Sequence, residues 1–228
     1  TARDVYYDKL NIAPVEEEPG NWVALEVGHL LEDLVAKIFH KKSGFEIYQI
    51  KKMFRHPKYL FMLADVDYFV RLPDGTTAIL EIKTTNYNAT DHWWQDGRET
   101  VPVYYEVQGR HYMAVMDADR VFFCCLYGNT EDEVIIREIK RDIGYEQEMI
   151  YLEQCFWENH VLVKNPPPYT EDGAQIMESV QRYCGPADTK APVLELGTDM
   201  TETLMCYLRL QEEKKKAEKR SEELEKEL

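Results

Sequence analysis

Pro73-Asp74-Gly75 lies between two apolar, strand-like runs, Tyr68-Phe69-Val70 and Thr77-Ala78-Ile79-Leu80. No other stretch restricts the fold as tightly. Proline presets the backbone entering a turn, Asp-Gly supports the conformations that close one, and apolar runs on both sides make the turn a β-hairpin. With the turn centred near Asp74, residues whose numbers sum to about 148 face each other. Asp67 and Glu81 meet this condition. Lys83 follows Glu81 by two, the strand period, and so shares its face. The hairpin is therefore expected to gather two acids and a lysine at one end.

Such a cluster has a chemical consequence. Two carboxylates held close repel, and burial raises the pKa of at least one unless a cation compensates. Lys83 supplies one positive charge, and a divalent metal would supply the rest. Acids beside a lysine and a metal suit phosphodiester cleavage, in which the metal polarises the phosphate and the amine orients or deprotonates water. The competing reading is a solvated hairpin carrying an ordinary salt bridge. Apolar neighbours around Asp67 and Glu81 favour central strands instead.

The chain of 228 residues, 44% hydrophobic and 12% aromatic, is long enough for one substantial core and reads as a single domain over 1–228. No run approaches the roughly 18 apolar residues of a membrane span, and no signal peptide is visible, so no membrane partner is expected. Cys124, Cys125, Cys155, Cys184 and Cys206 contain no Cys-x-x-Cys pair, which suits free thiols in a reducing cytosol and disfavours a structural zinc site. The net charge of -15 by itself argues against nucleic acid as a partner, though acids that hold metals lower the count. Local patches still decide contact with nucleic acid. Lys51, Lys52, Arg55, His56 and Lys58 form the basic cluster ahead of the hairpin, either a charged edge or a phosphate-contacting rim.

Periodicity places the remaining elements. Arg3 to Leu10 makes one helical turn or two, before an acidic loop at Glu16-Glu17-Glu18-Pro19-Gly20. A helix runs from Asn21 or Trp22 to about Lys41, with Val27, Leu31, Leu34, Val35 and Ile38 on its packed face and Glu32 at the edge of that face. Ser43-Gly44 ends it. Ile47 to Phe54 reads as one strand. Asn86 to Thr100 reads as a loop whose Trp93-Trp94 pair either stacks on bases or pins the loop to the core. A helix from Val101 or Pro102 to about Met116 carries Gln108 among Tyr104, Tyr105 and Tyr112, with Arg110 and His111 directed to phosphate or solvent. Arg120–Tyr127 and Val134–Ile139 pair as strands. Helices follow over Asp142–His160 and from Glu171 or Asp172 to Tyr183, then a loop from Gly185 to Pro192. The last helix, Thr201 to Leu228, reads as docked at its start and solvated at its end. The sum is an α/β (α+β) fold with one mixed sheet flanked by helices. A P-loop, a dinucleotide fingerprint and a Gly-x-Ser-x-Gly elbow are absent from the sequence.

Gly28-x-x-x-Glu32 in a helix, then Asp67, Glu81-x-Lys83 and Gln108, in the wording LADVDYF, LEIKTT and VPVYYEVQGRHYMAV, resembles the YqaJ-like viral recombinases of the PD-(D/E)XK nuclease superfamily, relatives of phage lambda exonuclease. The likeness covers 22 to about 128, the catalytic core it implies, with a weaker echo to Pro168 and a helical extension over 169–228. It implies a restriction-endonuclease-like core. It also implies Asp67, Glu81 and the Ile82 carbonyl as metal ligands, and Lys83 as catalytic lysine. Glu32 would act through a metal-bound water or a second metal, and Gln108 would brace the lysine or the DNA. Magnesium is the implied ion, with manganese as substitute.

The activity implied is 5′ to 3′ degradation of linear double-stranded DNA, leaving 3′ overhangs for a single-strand-annealing partner. The implied assembly is a homo-oligomer, a toroidal trimer, encoded by a phage or prophage and working in the bacterial cytosol. Lys51, Lys52, Arg55, Trp93, Trp94, Arg98 and Arg110 are the DNA-contact candidates. The alternatives are an endonuclease of the same superfamily and a non-catalytic DNA-binding scaffold. The family's Gly-Gly-Ser-Asp-like segment ahead of the Arg3–Leu10 region is not seen, so end recognition and 5′-phosphate binding do not carry over with the core chemistry.

Overall fold

The computed structural model describes residues 1–12, 22–184, 190 and 197–227. The loop expected at 16–20, that at 185–192 apart from Lys190, and the terminal Leu228 lie outside the described residues. The chain divides into two compact units, Thr1–Ser179 and Val180–Leu228.

In the first unit the order is α1 (Ala2–Lys9), α2 (Trp22–Ser43), β1 (Glu46–Tyr48), β2 (Phe54–Arg55), β3 (Leu63–Ala64), β4 (Tyr68–Arg71) and β5 (Thr77–Thr84). A 3-10 helix (Tyr87–Trp93), β6 (Trp94–Gln95), β7 (Arg98–Glu99), α3 (Val103–Met116), β8 (Arg120–Leu126), β9 (Val134–Lys140) and α4 (Ile143–Phe156) follow, α4 running into a π-helical turn at Trp157–Leu162. α5 (Gly173–Cys184) crosses the boundary between the units, and α6 (Thr198–Glu227) belongs to the second. The α6 residues Leu204, Tyr207, Leu208 and Leu210 are exposed. The docked start expected for this helix is thus not met within its own unit.

The main sheet has five strands in the order β1-β4-β5-β8-β9, with β5 and β8 parallel and the other pairs antiparallel. A strand at its centre is buried on both faces, which is why Ala78 to Ile82 reads as a nearly unbroken apolar run. The two faces hold separate cores. Tyr68, Val70, Leu80, Ile82, Phe122 and Cys124 pack with Val35, Ala36 and Phe39 of α2. Phe69, Ile79, Val121, Phe123 and Cys125 pack with Met113 to Val115 of α3 and Met149 of α4. The result is a sheet between helical layers.

The β4–β5 register is the one expected from the turn, since Tyr68 pairs Leu80 and Arg71 pairs Thr77. Gly75 donates to the Leu72 carbonyl at 2.9 Å with φ of 84°, a conformation only glycine enters without strain. The Asp74 carboxylate accepts from Thr76 N–H at 2.9 Å and completes the turn.

Three sequence expectations are corrected here. The strand expected over Ile47–Phe54 is two strands in different sheets: β1 pairs β4 only as far as Tyr48, opposite Phe69, and β2 pairs β3 in a small separate sheet. The break follows from β4, whose ladder starts at Tyr68 and leaves Ile50 no backbone to pair with. On α2, Val27 and Leu34 are exposed, and the helix turns Leu31, Val35, Ile38 and Phe39 to the sheet. The expected Asn86–Thr100 loop contains a 3-10 helix and the β6–β7 hairpin, closed by Asp96 and Gly97 with φ of 52° and 74°. Positive φ at both central residues is the geometry of a two-residue hairpin.

α3 lies unusually close to β8. A Cβ at Gly109 would sit 2.6 Å from the Phe123 ring and 3.0 Å from Val121. Phe123 is the β8 partner of Glu81. The missing side chain at Gly109 therefore sets how near α3 approaches β8.

Candidate functional site

Asp67 immediately precedes β4, so its side chain is free to cap the neighbouring strand. Its Oδ2 accepts the Ile82 N–H at 2.7 Å, the bond that the β4 backbone would otherwise have supplied. In a strand the N–H and C=O of one residue leave on the same side. The Ile82 carbonyl is therefore also directed toward the gap beyond the start of β4. Two residues along β5, Lys83 Nζ donates to Glu81 Oε2 at 3.0 Å. The lysine's ammonium also stands over the Tyr105 ring of α3, 5.1 Å from its centre.

Glu81 is 1% exposed, and its Oε1 is buried with no hydrogen-bond partner. Burial first, and then the nearby Asp67 charge, push its carboxyl up to about 8. Burial likewise raises Asp67, against the opposing pull of Lys83 and the Ile82 N–H. For Lys83 burial works to lower the pKa, but the charges of Glu81 and Asp67 outweigh it and hold the ammonium above its ordinary value. The cluster thus has more acid than its one lysine can compensate, and a desolvated oxygen with nothing bound to it. Such a group costs free energy until a cation or donor reaches it.

These donors fit a divalent ion of the magnesium type, which favours oxygen ligands and keeps part of its water. Among the described residues no three His, Cys, Asp or Glu side chains converge into a complete cage. The fit is therefore to two carboxylates, a main-chain carbonyl and water.

Glu32 stands on α2 at the mouth of the same region. Glu32, Gln49, Lys51, Lys52, Asp65 and Asp67 are among the residues lining a cleft of about 420 Å³. Gln49 Nε2 donates to Glu32 Oε1 at 3.3 Å, and burial followed by Asp67 raises the Glu32 pKa. The break between β1 and β2 opens this cleft and turns Lys51 and Lys52 to its rim. Arg55 is exposed on β2, and Arg98 on β7.

Other candidates are placed elsewhere. Trp93 is 1% exposed and packs in the α3-side core, whereas Trp94 is 42% exposed with the Arg137 guanidinium 5.1 Å from its ring centre. Of the two readings of this pair, pinning the loop to the core holds for Trp93, which is thereby removed from the DNA-contact candidates, and Trp94 is a surface ring. Arg110 is held by Glu106 at 2.8 Å and stacks on Tyr145. His111 binds Glu153 at 2.8 Å and the Leu63 carbonyl at 2.9 Å. Both are internal ties joining α3 to its neighbours. Sequence reading did not single out Gln49, because nothing local marks a residue whose partner, here Glu32 of α2, comes from another element.

No helix among the described residues is long and apolar enough to cross a membrane. The model of the YqaJ-like viral recombinase domain family matches residues 3–119. The YqaJ protein of Bacillus subtilis (strain 168) is 34% identical over 230 residues, spanning 99% of this chain and 67% of that protein. LHK-Exo in complex with dAMP, an alkaline exonuclease of Laribacter hongkongensis, superposes with a TM-score of 0.57 at 17% identity, over 80% of this chain and 83% of its own. A phage-related exonuclease of Haemophilus somnus 129PT gives 0.52 at 13% identity, over 72% and 82%. At these identities the two structures share a fold with this chain.

Proposed function

Since this chain belongs to the YqaJ-like viral recombinase family, we propose that it is a magnesium-dependent exonuclease that degrades linear double-stranded DNA 5′ to 3′ and leaves 3′ overhangs. The observation that carries this reading is the meeting of Asp67, Glu81 and Lys83 at the end of β5, with one buried Glu81 oxygen unsatisfied. Exonuclease activity named for proteins of the same fold, LHK-Exo and the Haemophilus somnus protein, agrees with it.

In this reading Asp67, Glu81 and the Ile82 carbonyl hold the ion, with manganese able to replace magnesium. The bound ion supplies Lewis acidity to the scissile phosphate. Lys83, kept protonated by its two acidic neighbours, orients the attacking water and stabilises charge on the phosphate. Glu32, farther out on α2, acts through water or a second ion, and Gln108 braces the lysine or the DNA. Lys51 and Lys52 offer the cleft rim to backbone phosphates, with Arg55, Trp94 and Arg98 as outlying contacts. The assembly is a homo-oligomer of the ring-shaped trimer type, working with a single-strand-annealing partner in the host cytosol.

The test is digestion of end-labelled linear duplex and covalently closed circles, with and without magnesium and with 5′ ends phosphorylated or not. The expected result is magnesium-dependent loss of 5′ label from linear DNA and intact circles. Cut circles indicate an endonuclease, and undigested linear DNA a binding protein; either outcome refutes the exonuclease.

A further inference from the structure

The β6–β7 hairpin leaves Trp94 exposed while its neighbour Trp93 anchors the segment in the α3-side core. The Thr100 N–H donates to the Trp93 carbonyl at 3.0 Å, so the hairpin is closed at its base. Trp94 and Glu99 face each other across it. Against them stands Arg137 of β9. Its guanidinium is 5.1 Å from the centre of the Trp94 ring, and its Nη1 is 3.5 Å from a Glu99 carboxylate oxygen.

Arg137 is an unusual support for a hairpin. Its side chain is only 12% exposed, and its Nε is buried without a hydrogen-bond partner. Nη1 reaches the adjacent Ile136 carbonyl at 2.9 Å. A buried donor left unsatisfied is destabilising, and an exposed Glu99 at the long end of ion-pair distance offsets little of that. An aliphatic side chain would prop the hairpin without this cost. What the guanidinium adds is a positive charge under one face of the indole, which holds the ring by cation–π attraction. The exposure of Trp94 then falls on the side away from Arg137.

The location adds a second reason. Arg137 pairs with Phe123 of β8, and Phe123 pairs with Glu81 of β5. Arg137 and Glu81 are thus in one cross-strand row, two strand spacings or about 10 Å apart. The exposed Arg98 is on the same hairpin, next to Glu99. In a chain of net charge -15, an open indole backed by one arginine and neighboured by another is suited to nucleic acid. Every base has a π-face, so stacking on such a ring is independent of sequence, and a ring already held still loses little freedom when a base arrives.

We propose that Trp94 is a stacking platform for an unpaired nucleobase of single-stranded DNA, and that Arg137 is the positioning residue that holds its ring. This deepens the nuclease reading above, in which removal of one strand leaves such bases unpaired near Glu81. Arg137 acts through Trp94 and touches no reacting atom.

The test titrates the full chain, in calcium, with a short fluorescein-labelled oligothymidylate and with a blunt duplex over a range of salt concentrations. Wild type is compared with Trp94→Ala, Trp94→Phe, Arg137→Met and the Trp94→Ala/Arg137→Met double variant. For the single strand, Trp94→Ala is expected to raise Kd about tenfold, the scale of one lost base stack, and Trp94→Phe, which keeps a π-face, about threefold or less. Arg137→Met is expected to raise Kd about threefold with the slope of log Kd against log salt unchanged, because its charge acts on the ring and not on a phosphate. The double variant should bind no more weakly than Trp94→Ala. Affinity for the blunt duplex should stay the same in Trp94→Ala. An oligothymidylate carrying 5-iododeoxyuridine, irradiated on the wild type, should crosslink to Trp94 when the adduct is mapped by mass spectrometry. Trp94 is exposed, so its variants and the crosslink decide the matter even where Arg137→Met lowers the melting temperature.

Unchanged single-strand affinity in Trp94→Ala, an equal loss on the duplex, or crosslinks that miss Trp94 would each overturn the platform. A salt slope lowered by about 0.7 in Arg137→Met marks a direct phosphate contact and overturns the positioning role. A wild type that binds through Trp94 but never cleaves refutes the nuclease reading alone, and a cleaving wild type with unaffected binding in Trp94→Ala overturns this inference alone.

Discussion

Lys83→Ala is expected to lower cleavage of linear duplex DNA by roughly 10²–10³-fold, the usual cost of removing one donor that stabilises charge in the transition state. Binding of the same DNA should change little, because the ammonium is turned inward between Glu81 and Tyr105 and not to the cleft rim where Lys51 and Lys52 stand. Breaking a buried ion pair commonly costs several kcal/mol when the orphaned charge has no escape. Glu81 has one. Its carboxyl already titrates near 8, and loss of the adjacent cation raises it further, so the acid takes up a proton instead of remaining a bare charge. The variant should therefore fold and bind. Single-turnover digestion beside a gel-shift measurement in calcium checks both halves, and unchanged cleavage would refute the role assigned to Lys83.

Metal-free protein is expected to lose stability as pH rises from about 4.5 through about 8, with magnesium restoring most of it. The sign follows from linkage. An acid whose folded pKa lies above its unfolded value binds more protons when folded, so its contribution is full below the unfolded pKa and is lost as pH climbs through the folded one. Glu81 moves from 4.5 to about 8. At about 1.4 kcal/mol per unit, that is roughly 4–5 kcal/mol at most. Asp67, also raised by burial, acts in the same direction. A divalent ion reverses the effect, since it binds the ionised carboxylates that burial disfavours. Melting curves in EDTA and in magnesium between about pH 5 and about pH 9 should diverge as pH increases. Glu81→Gln should flatten the EDTA curve and remove the magnesium response. Parallel curves at all pH values would contradict the buried, metal-seeking carboxylate.

The hairpin was the most legible part of the sequence because its information is local. Pro73-Asp74-Gly75 fixes a register, and the register alone places Asp67, Glu81 and Lys83 together. Asp96-Gly97 carries the same signal, but Gln95 and Arg98 beside it are polar, so the short β6–β7 hairpin read as loop. Residues 47–54 read as one strand because alternation along a chain does not reveal where a partner strand begins, and Asp67 turns its side chain, not its backbone, to the next strand. Trp93 and Trp94 are adjacent and chemically alike, yet one is core and the other surface; only the path of the 3-10 helix separates them. Gln108 came from family resemblance alone. Its hydrogen bond to Tyr112 is local, but the depth at which α3 lies over β8 depends on Gly109 meeting Phe123 from a different element, a tertiary fact with no mark in the sequence.

The most direct test is manganese soaked into crystals of the wild-type protein, with anomalous diffraction recorded at its absorption edge. The expected result is an anomalous peak between the carboxylates of Asp67 and Glu81, within bonding distance of both and of the Ile82 carbonyl, and its absence in Glu81→Gln crystals. A soaked crystal with no peak there, or with the ion bound elsewhere and Glu81 still paired only to Lys83, would contradict the account.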